Sequence, residues 1–293
     1  MSIRSRIFRR MCTESDAERD AGLTTPPEIE RFDDICYGSS GCGNGWDLLD
    51  VYRPKAEKGK LPVIVSFHGG GWVYGDKNVY QFYCMDLAGR GFAVVNYSYR
   101  LAPEYRYPAP FEDTNEVFRW VLENAEKYGF DTDNIFAVGD SAGAMGIGLY
   151  ACIVTDREYA ENYSFTVPEG LRIKGLALNC GIYKTEDTAT VKSLKDFVRK
   201  QDYPAILDKL NMVNIVSGSF SPCFIMTAVG DFLVNEPKFL MESLDRVGVR
   251  YEYRLYGTQE APLGHVFHCN IKLPEAKQAN DDECVFFRKL MKQ

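Results

Sequence analysis

The sequence contains only three histidines, His68, His265 and His268, among its 293 residues. A histidine-rich metal site is therefore nearly excluded, and any catalytic histidine must be one of these three. The glycines of residues 38–45 do not form the G-x-G-x-x-G pattern that opens the helix of a dinucleotide site. We accordingly expect neither a metal nor another cofactor.

Long apolar runs are also missing. No run approaches the ~18 residues of a membrane span, and the basic segment 1–10 lacks the apolar core of a secretory signal. The nine cysteines are scattered without C-x-x-C spacing, which favours free thiols in a reducing compartment. Cys36 and Cys42 flank a predicted hairpin and could form a disulfide. Because free thiols fit the scattered cysteines better, we expect a cytoplasmic location.

Basic residues are the minority among the charged ones, with 34 Lys and Arg against 41 Asp and Glu, and the formal net charge is −7. Because the chain has no basic stripe, nucleic acid is not an expected partner. A content of 45% hydrophobic and 26% charged residues is typical of a globular protein. The length allows one large domain with a sizeable core.

Short apolar runs alternate with segments of helical spacing along most of the chain. The strand-like runs fall near residues 35–37, 46–52, 61–67, 92–99, 134–138, 173–180, 224–229 and 251–256. Among the helical segments are 142–155 and a closing helix at 281–291. This alternation predicts one α/β domain over residues 1–293, with a mainly parallel, twisted sheet of about eight strands and helices on both faces. The polar arm 1–30 and the insert 185–213, whose spacing predicts two short amphipathic helices, are candidates for a small helical cap.

The segment Gly139-Asp140-Ser141-Ala142-Gly143 lies where a strand-like run gives way to a helix of small and apolar residues. A G-x-S-x-G pattern between a strand and a helix is the nucleophile elbow, a sharp turn that holds the serine hydroxyl clear of the sheet edge. Ser141 is therefore the predicted nucleophile. Asp140 either shapes the site or occupies a favourable place at a helix N-terminus.

A serine nucleophile needs a base and an acid that orients the base. In parallel sheets, sites form at the carboxyl ends of the strands. Asp231 directly follows the run 224–229, and His265 lies in the loop after the run 251–256, which gives the order Ser141, Asp231, His265 of an α/β-hydrolase triad. Spacing leaves three alternatives open, namely His268 as the base and Glu236 or Asp245 as the acid.

His68-Gly69-Gly70-Gly71 follows the strand-like run 61–67. Glycines let the backbone approach a substrate closely, so we predict an oxyanion hole formed by the N–H groups of Gly69, Gly70 and Ala142. His68 is expected to orient this loop through hydrogen bonds. The candidate substrate-binding residues are Trp72, Tyr74 and Phe232. For each of them, packing in the core is the alternative.

Together with Tyr99-Arg100-Leu101-Ala102-Pro103-Glu104, these motifs resemble the hormone-sensitive-lipase-like family of α/β-hydrolase esterases over about residues 46–290. The resemblance implies Asp231 as the triad acid. It implies His265 rather than His268 as the base, because the histidine of the family is followed two residues later by an aromatic, here Phe267. It also implies a cap built from the N-terminus and an insert after the sixth strand.

We therefore expect a serine carboxylester hydrolase that acts on small esters with short acyl groups, from acetyl to about hexanoyl. An amide-cleaving relative, such as an arylformamidase or a small peptidase, would use the same triad and is the first alternative. A catalytically silent, ligand-binding hydrolase fold is the second, although such a protein would be expected to lack a triad residue. We also expect a homodimer.

Overall fold

A computed structural model describes residues 1–38, 45–186 and 194–292. The eight strands within these residues are β1 (Ile29–Cys36), β2 (Leu48–Pro54), β3 (Leu61–Phe67), β4 (Ala93–Tyr97), β5 (Phe130–Asp140), β6 (Ile173–Asn179), β7 (Cys223–Ala228) and β8 (Tyr251–Tyr256). They form one sheet in the order β1-β2-β4-β3-β5-β6-β7-β8. β2 runs antiparallel to β1 and β4, and the other neighbours are parallel. The predicted mainly parallel sheet is confirmed.

The α-helices of the described chain are α1 (Ile3–Asp20), α2 (Lys77–Ala88), α3 (Ala109–Glu123), α4 (Ala125–Tyr128), α5 (Ala142–Thr155), α6 (Arg157–Ala160), α7 (Tyr203–Ile206), α8 (Met212–Ile215), α9 (Glu236–Val247) and α10 (Pro274–Met291). Among these residues, no helix combines the length and the apolar character needed to cross a membrane. Short 3₁₀ helices add Leu194–Asp196, Lys200–Asp202, Asp208–Leu210 and Phe267–Cys269.

Three element boundaries differ clearly from the predicted ones. β5 begins at Phe130 rather than at 134, because it pairs with β3 from that residue onwards. β1 begins at Ile29 rather than near residue 35, because it pairs with β2 along its length. α10 begins at Pro274 rather than at 281, since proline suits the first turn of a helix and Ala276 and Ala279 are buried. Residues 39–44 of the predicted hairpin lie outside the described residues.

The sheet separates two apolar cores. In β3, Val63 and Val65 belong to one core and Ile64 to the other, as the two-residue period of a strand requires. Residues of α3 and α5 fill the first core, and residues of α2 and α10 fill the second. Strands buried on both faces read as nearly continuous apolar runs, which explains why the sequence predicted them well.

The order in which strands are added to the sheet changes direction at β3. β4 lies on one side of β3 and β5 on the other, so the loops after β3 and β5 separate and leave a crevice at the carboxyl edge. The register pairs Phe67, the last residue of β3, with Gly139 of β5. The loop that begins at His68 and the turn at Ser141 are therefore neighbours.

Helix α1 lies across this carboxyl edge and has no buried residue. Polar contacts hold it to the rest of the chain, namely Ser5 with Asp196, Arg9 with the carbonyl of Ala102 and Arg19 with the carbonyl of Val79. The predicted arm over residues 1–30 is thus mostly a helix, and it is attached mainly by hydrogen bonds.

The insert over residues 185–213 is more broken than predicted. From residue 194 onwards it consists of three 3₁₀ helices with α7 and α8, whereas residues 187–193 lie outside the described residues. The apolar spacing at Ile206, Leu207 and Leu210 does not continue into a longer helix, because Asn211 has a non-helical backbone (φ −88°, ψ 80°). Leu210 is nevertheless fully buried.

The cysteines require one correction. Cys36, at the end of β1, is disulfide-bonded, so the prediction of free thiols throughout is wrong at this position. Cys42, which could bridge to Cys36 according to the sequence, lies outside the described residues. The cysteines that are free are Cys12, Cys84, Cys152, Cys180, Cys223, Cys269 and Cys284.

Glu283 of α10 is a fully buried acid next to the carboxyl end of β6. Its carboxylate accepts hydrogen bonds from Tyr83 Oη at 2.9 Å and from Asn179 Nδ2 at 3.0 Å. Burial has the larger effect and raises the pKa of Glu283 from 4.5 to about 7. The folded protein therefore holds this proton more tightly than the unfolded chain does.

We predict that Glu283→Gln makes the free energy of unfolding less sensitive to pH. For an acid whose pKa is raised by folding, stability falls as the pH rises from the unfolded-state to the folded-state pKa. In urea titrations, the wild type should lose roughly 2 kcal/mol relative to the variant between pH 5 and pH 8. Glu275→Gln, an exposed acid of the same helix, is the control. Parallel pH profiles of wild type and Glu283→Gln would contradict the prediction.

Candidate active site

The turn from β5 into α5 holds Ser141 in a backbone conformation that is rare for a residue with a Cβ (φ 54°, ψ −119°). A Cβ on Gly139 would lie 2.4 Å from the carbonyl oxygen of Gly143, and a Cβ on Gly143 would lie 2.2 Å from that of Phe67. Because atoms cannot approach so closely, this turn requires glycine at both positions. The Ser141 N–H donates to the carbonyl of Asn179 at 2.9 Å.

His265 lies between Ser141 and Asp231. Its Nε2 is 3.0 Å from Ser141 Oγ, and its Nδ1 is 2.9 Å from Asp231 Oδ1. Asp231 is buried just after β7 and also accepts the N–H of Leu233 at 2.8 Å, whereas His265 lies in the loop after β8. The structure thus brings together the three residues that the sequence predicted as a triad.

The charge of Asp231 decides which nitrogen of His265 carries the proton. Burial by itself would raise the pKa of Asp231. The hydrogen bond from His265, and the positive charge of the protonated His265 ring, outweigh burial and hold this pKa below its ordinary value. Asp231 is therefore an ionised acceptor, and the proton of neutral His265 lies on Nδ1. Nε2 is left to accept the Ser141 hydroxyl, which is the arrangement in which a histidine can take the serine proton.

The three alternatives left open by spacing lie elsewhere. His268 is fully buried, and burial lowers its pKa to about 3, so it is a poor base. Glu236 accepts the backbone N–H of Tyr183 at 3.0 Å. Asp245 accepts the hydroxyl of Tyr251 at 3.2 Å. At His265 the Nδ1 partner is Asp231 and not one of these two acids.

The loop after β3 corrects one predicted oxyanion donor. The Gly69 N–H donates to Tyr80 Oη at 3.0 Å, so it is already occupied. A Cβ on Gly69 would lie 2.5 Å from Asp140 Oδ2, which shows that this residue is enclosed between the loop and the elbow. The cavity at the elbow is lined by Gly70 and Gly71 instead. Gly69 therefore serves close packing and cannot stabilise an oxyanion without losing its bond to Tyr80.

Gly70, Gly71 and Ala142 all line the cavity at Ser141. Within residues 1–38, 45–186 and 194–292, the N–H groups of both glycines make no hydrogen bond. Ala142 is the first residue of α5, and the first N–H groups of a helix have no partner inside the helix. The candidate oxyanion donors are therefore Gly70, Gly71 and Ala142, so Gly71 replaces Gly69.

Tyr80 of α2 connects the oxyanion loop to the elbow. Its hydroxyl accepts the Gly69 N–H and donates to Asp140 Oδ2 at 2.8 Å. Asp140 is buried, and burial raises its pKa to about 6. Through its bond to Tyr80, this acid helps to fix the position of the loop after β3. On the other side, His68 Nδ1 lies 2.7 Å from the Gly69 carbonyl, as expected for a residue that orients the loop. Sequence reasoning missed Tyr80 because a helical tyrosine at apolar spacing resembles a core residue.

A cavity of about 290 Å³ lies above the elbow. Its walls are mostly apolar, and the three predicted substrate-binding residues, Trp72, Tyr74 and Phe232, all line it. Trp72 is also part of the core, since it stacks on Phe197 with 4.2 Å between ring centroids. Phe232 is 76% exposed, and its ring lies 4.4 Å from that of His265. Phe232 therefore stands at the mouth of the cavity.

One wall of the cavity comes from α1 through Phe8, Cys12, Asp16 and Arg19. Asp16 accepts the hydroxyl of Tyr74 at 2.8 Å, which ties this wall to the loop after β3. Sequence reasoning named none of the four residues. Their common spacing of three or four residues was the signal that could have found them, but spacing does not reveal what a helix face contacts.

Two groups of side chains in the described chain have atoms that could ligate a metal, namely Cys180 with Asp231 and His265, and Asp140 with His268 and Cys269. In the first group, both ring nitrogens of His265 already have hydrogen-bond partners. In the second, Asp140 accepts the hydroxyl of Tyr80. A cation at either place would have to displace these bonds.

The BD-FAE family matches residues 49–238, more than half of the chain. Carboxylesterase NlhH of Mycobacterium tuberculosis is 40% identical over 139 residues, which cover 46% of this chain and 43% of that protein. Versiconal hemiacetal acetate esterase of Dothistroma septosporum is 40% identical over 94 residues, 32% and 29% of the two chains. Each match therefore spans less than half the length of the curated relative.

Esterase B of Lactobacillus rhamnosis is similar to this chain over nearly its whole length, with a TM-score of 0.91 and 26% identity across 99% of this chain and 96% of the other. An esterase of Pyrobaculum calidifontis shares the fold, with a TM-score of 0.79. The family match includes the strands that precede Ser141 and Asp231. The chain thus belongs to the BD-FAE family and has the α/β-hydrolase fold, as its resemblance to hormone-sensitive-lipase-like esterases implied.

Proposed function

We propose that this protein is a serine carboxylester hydrolase. The observation that carries the proposal is the continuous hydrogen-bonded row from Asp231 through His265 to Ser141, with distances of 2.9 and 3.0 Å, beside a mostly apolar cavity. The similar proteins are named carboxylesterase, acetate esterase and esterase B. Their names support an ester as the substrate and do not favour the amide-cleaving or the catalytically silent alternative.

In the proposed reaction, Ser141 Oγ attacks the ester carbonyl carbon while His265 Nε2 takes the serine proton. The negative charge that develops on the carbonyl oxygen is stabilised by the N–H groups of Gly70, Gly71 and Ala142. His265 then gives its proton to the leaving alcohol, and an acyl group remains on Ser141. A water molecule that loses its proton to His265 attacks this acyl group, and the proton returns to Ser141 as the acid departs.

We infer that the chain forms a single domain with a two-part cap, made of α1 and the insert. The two parts contact each other, since Asp196 accepts the N–H of Ser2 at 3.1 Å. Both parts also line the cavity, α1 through Phe8 and the insert through Leu194. These contacts support the cap that the sequence predicted over residues 1–30 and 185–213.

The proposed substrates are small esters with acyl groups from acetyl to about hexanoyl. A cavity of about 290 Å³ has to hold both sides of the ester, which disfavours long chains. Similar proteins include an ethyl acetate hydrolase of Pseudomonas putida and an esterase B inhibited with a C4-C4 tributyrin phosphonate. The names of these relatives favour short acyl groups as well.

The cytoplasmic location and the homodimer stay predictions. The disulfide at Cys36 weighs against the first, because such bonds persist mainly in oxidising compartments. Fractionation of cells that produce the protein, and sedimentation velocity of the purified chain, are the measurements that decide them.

Replacing the nucleophile is the direct test of the proposed function. Ser141→Ala should lower kcat/KM for p-nitrophenyl acetate by about 10⁴-fold or more, because the acyl-enzyme can no longer form. Ser15→Ala, at an exposed serine, should keep full activity. Near wild-type activity of a folded Ser141→Ala protein would exclude Ser141 as the nucleophile and with it the proposed mechanism.

Gly70→Ala tests the oxyanion loop. Gly70 has a φ of +106°, and a Cβ there would lie 2.1 Å from the Tyr74 carbonyl oxygen, so the loop must move and misplace its N–H donors. We expect kcat to fall by about 10²-fold or more. Gly22→Ala is the matched control, because its φ is +79° with no atom within 4 Å of the Cβ. It should cost about 1–2 kcal/mol of stability with kcat preserved. A wild-type kcat for Gly70→Ala would argue against this donor.

The acyl preference is tested with a series of p-nitrophenyl esters kept below their micelle concentrations. We expect kcat/KM to be highest between acetate and hexanoate and about tenfold or more lower for laurate, because the additional methylene groups find no room in the cavity. Laurate turnover as fast as butyrate turnover would contradict the short-chain proposal without affecting the reaction class.

A further inference from the structure

Three apolar residues of α1 point away from the protein, whereas Phe8 faces the cavity. Ile3, Ile7 and Met11 are 68%, 56% and 63% exposed. They recur every four residues, so they form one row along the helix, which we call the outer row. A surface helix normally turns its apolar stripe towards the core. In α1 the orientation is reversed, because the residues that contact the rest of the chain are mainly polar.

The outer row is not needed to hold α1 in place. Arg9 donates to the carbonyls of Val73 and Ala102, and Tyr74 donates to Asp16. These bonds, with those of Ser2, Ser5 and Arg19 described above, lie on the opposite side of the helix from the outer row. Single exposed apolar residues are common, but a row of three with no role inside the molecule indicates an external partner.

The charge around the outer row indicates what kind of partner this is. Residues 1–13 contain four arginines and no acidic residue, although the whole chain has a net charge of −7. Arg6 and Arg10 follow Ile3 and Ile7 by three residues, so they flank the row on one side. Arg10 pairs with Glu14 at 2.8 Å, and both side chains are largely exposed. An apolar row bordered by arginines is typical of helices that lie in the plane of a lipid surface.

We propose that the outer row of α1 docks on an anionic lipid surface. Ile3, Ile7 and Met11 enter the boundary of the acyl chains, and Arg6 and Arg10 contact the phosphate groups of the lipids. Docking places the helix that forms one wall of the cavity at the lipid surface, because Phe8, the neighbour of Ile7, lines that cavity. Sparingly soluble esters gather at such a surface and would reach the site from it.

A second copy of the chain fits the outer row less well. A two-fold contact places the same patch on both partners, so an α1–α1 interface would bring the arginines of two helices together. Like charges at such short distances repel each other. On an anionic lipid surface, by contrast, Arg6 and Arg10 meet opposite charges.

The test is co-sedimentation of the full chain with vesicles of phosphatidylcholine containing about 30% phosphatidylglycerol, compared with pure phosphatidylcholine. Wild type should bind the anionic vesicles, and the triple variant Ile3→Ser, Ile7→Ser, Met11→Ser should bind them about tenfold or more weakly. The matched control is Leu255→Ser with Val285→Ser, two exposed apolar residues outside α1, which should bind as wild type does. Arg6→Gln with Arg10→Gln should weaken binding and its dependence on salt.

None of the substituted residues lines the cavity, so hydrolysis of soluble p-nitrophenyl acetate by the triple variant should match wild type and show that α1 is still in place. If that activity fails, the arginine variant provides the test. Wild-type binding by both variants, or no binding of wild type to anionic vesicles, would overturn the proposal. So would a wild-type dimer that the triple variant loses in sedimentation velocity without any binding to vesicles. Vesicle binding requires no turnover, so failure here leaves the esterase proposal untouched.

Discussion

The close approach of Gly143 to the carbonyl oxygen of Phe67 is the constraint on which the site depends. It presses the start of α5 against the end of β3, where a side chain on residue 143 would lie 2.2 Å from that oxygen. The nucleophile and the loop after β3 are therefore held at one point of the sheet edge. Tyr80 adds a second tie, because its hydroxyl bonds both the Gly69 N–H and Asp140. An oxyanion hole needs this rigidity, since its donors act through fixed position.

The cap is attached in a different way from the sheet. Among the described helices of more than ten residues, α1 is the one without a buried residue. It is held mainly by hydrogen bonds and ion pairs to loops near the site, and its outer row, Ile3, Ile7 and Met11, is exposed. Regions with few buried apolar contacts are the ones that open most easily. The carboxyl edge of the sheet, which is held by close backbone packing, is thus covered by helix α1, which has no buried residue.

Much of the fold could be predicted because burial on both faces makes a strand apolar at every position. The run at 61–67 and the helix at 142–155 were predicted with the bounds observed. The proximity of Ser141, Asp231 and His265 was also predictable, because parallel strands bring their carboxyl ends to one edge. Elements with mixed polarity were harder. The first turns of α10 are polar, and the predicted helix left them out. The insert was predicted as two helices because apolar spacing does not show where Asn211 ends a helix.

The sequence by itself determined which chemistry the site can perform. Only three histidines exist, and the elbow motif, Asp231 and His265 occur in an order that leaves few other arrangements. The tertiary structure decided which N–H groups and which histidine are free to take part in that chemistry. Gly69 and Gly71 are identical as residues, yet Tyr80 occupies the N–H of the first, whereas Gly71 lines the cavity. Likewise, His265 faces Ser141, while His268 is buried. Availability depends on neighbours that are distant in the chain, and no local pattern records them.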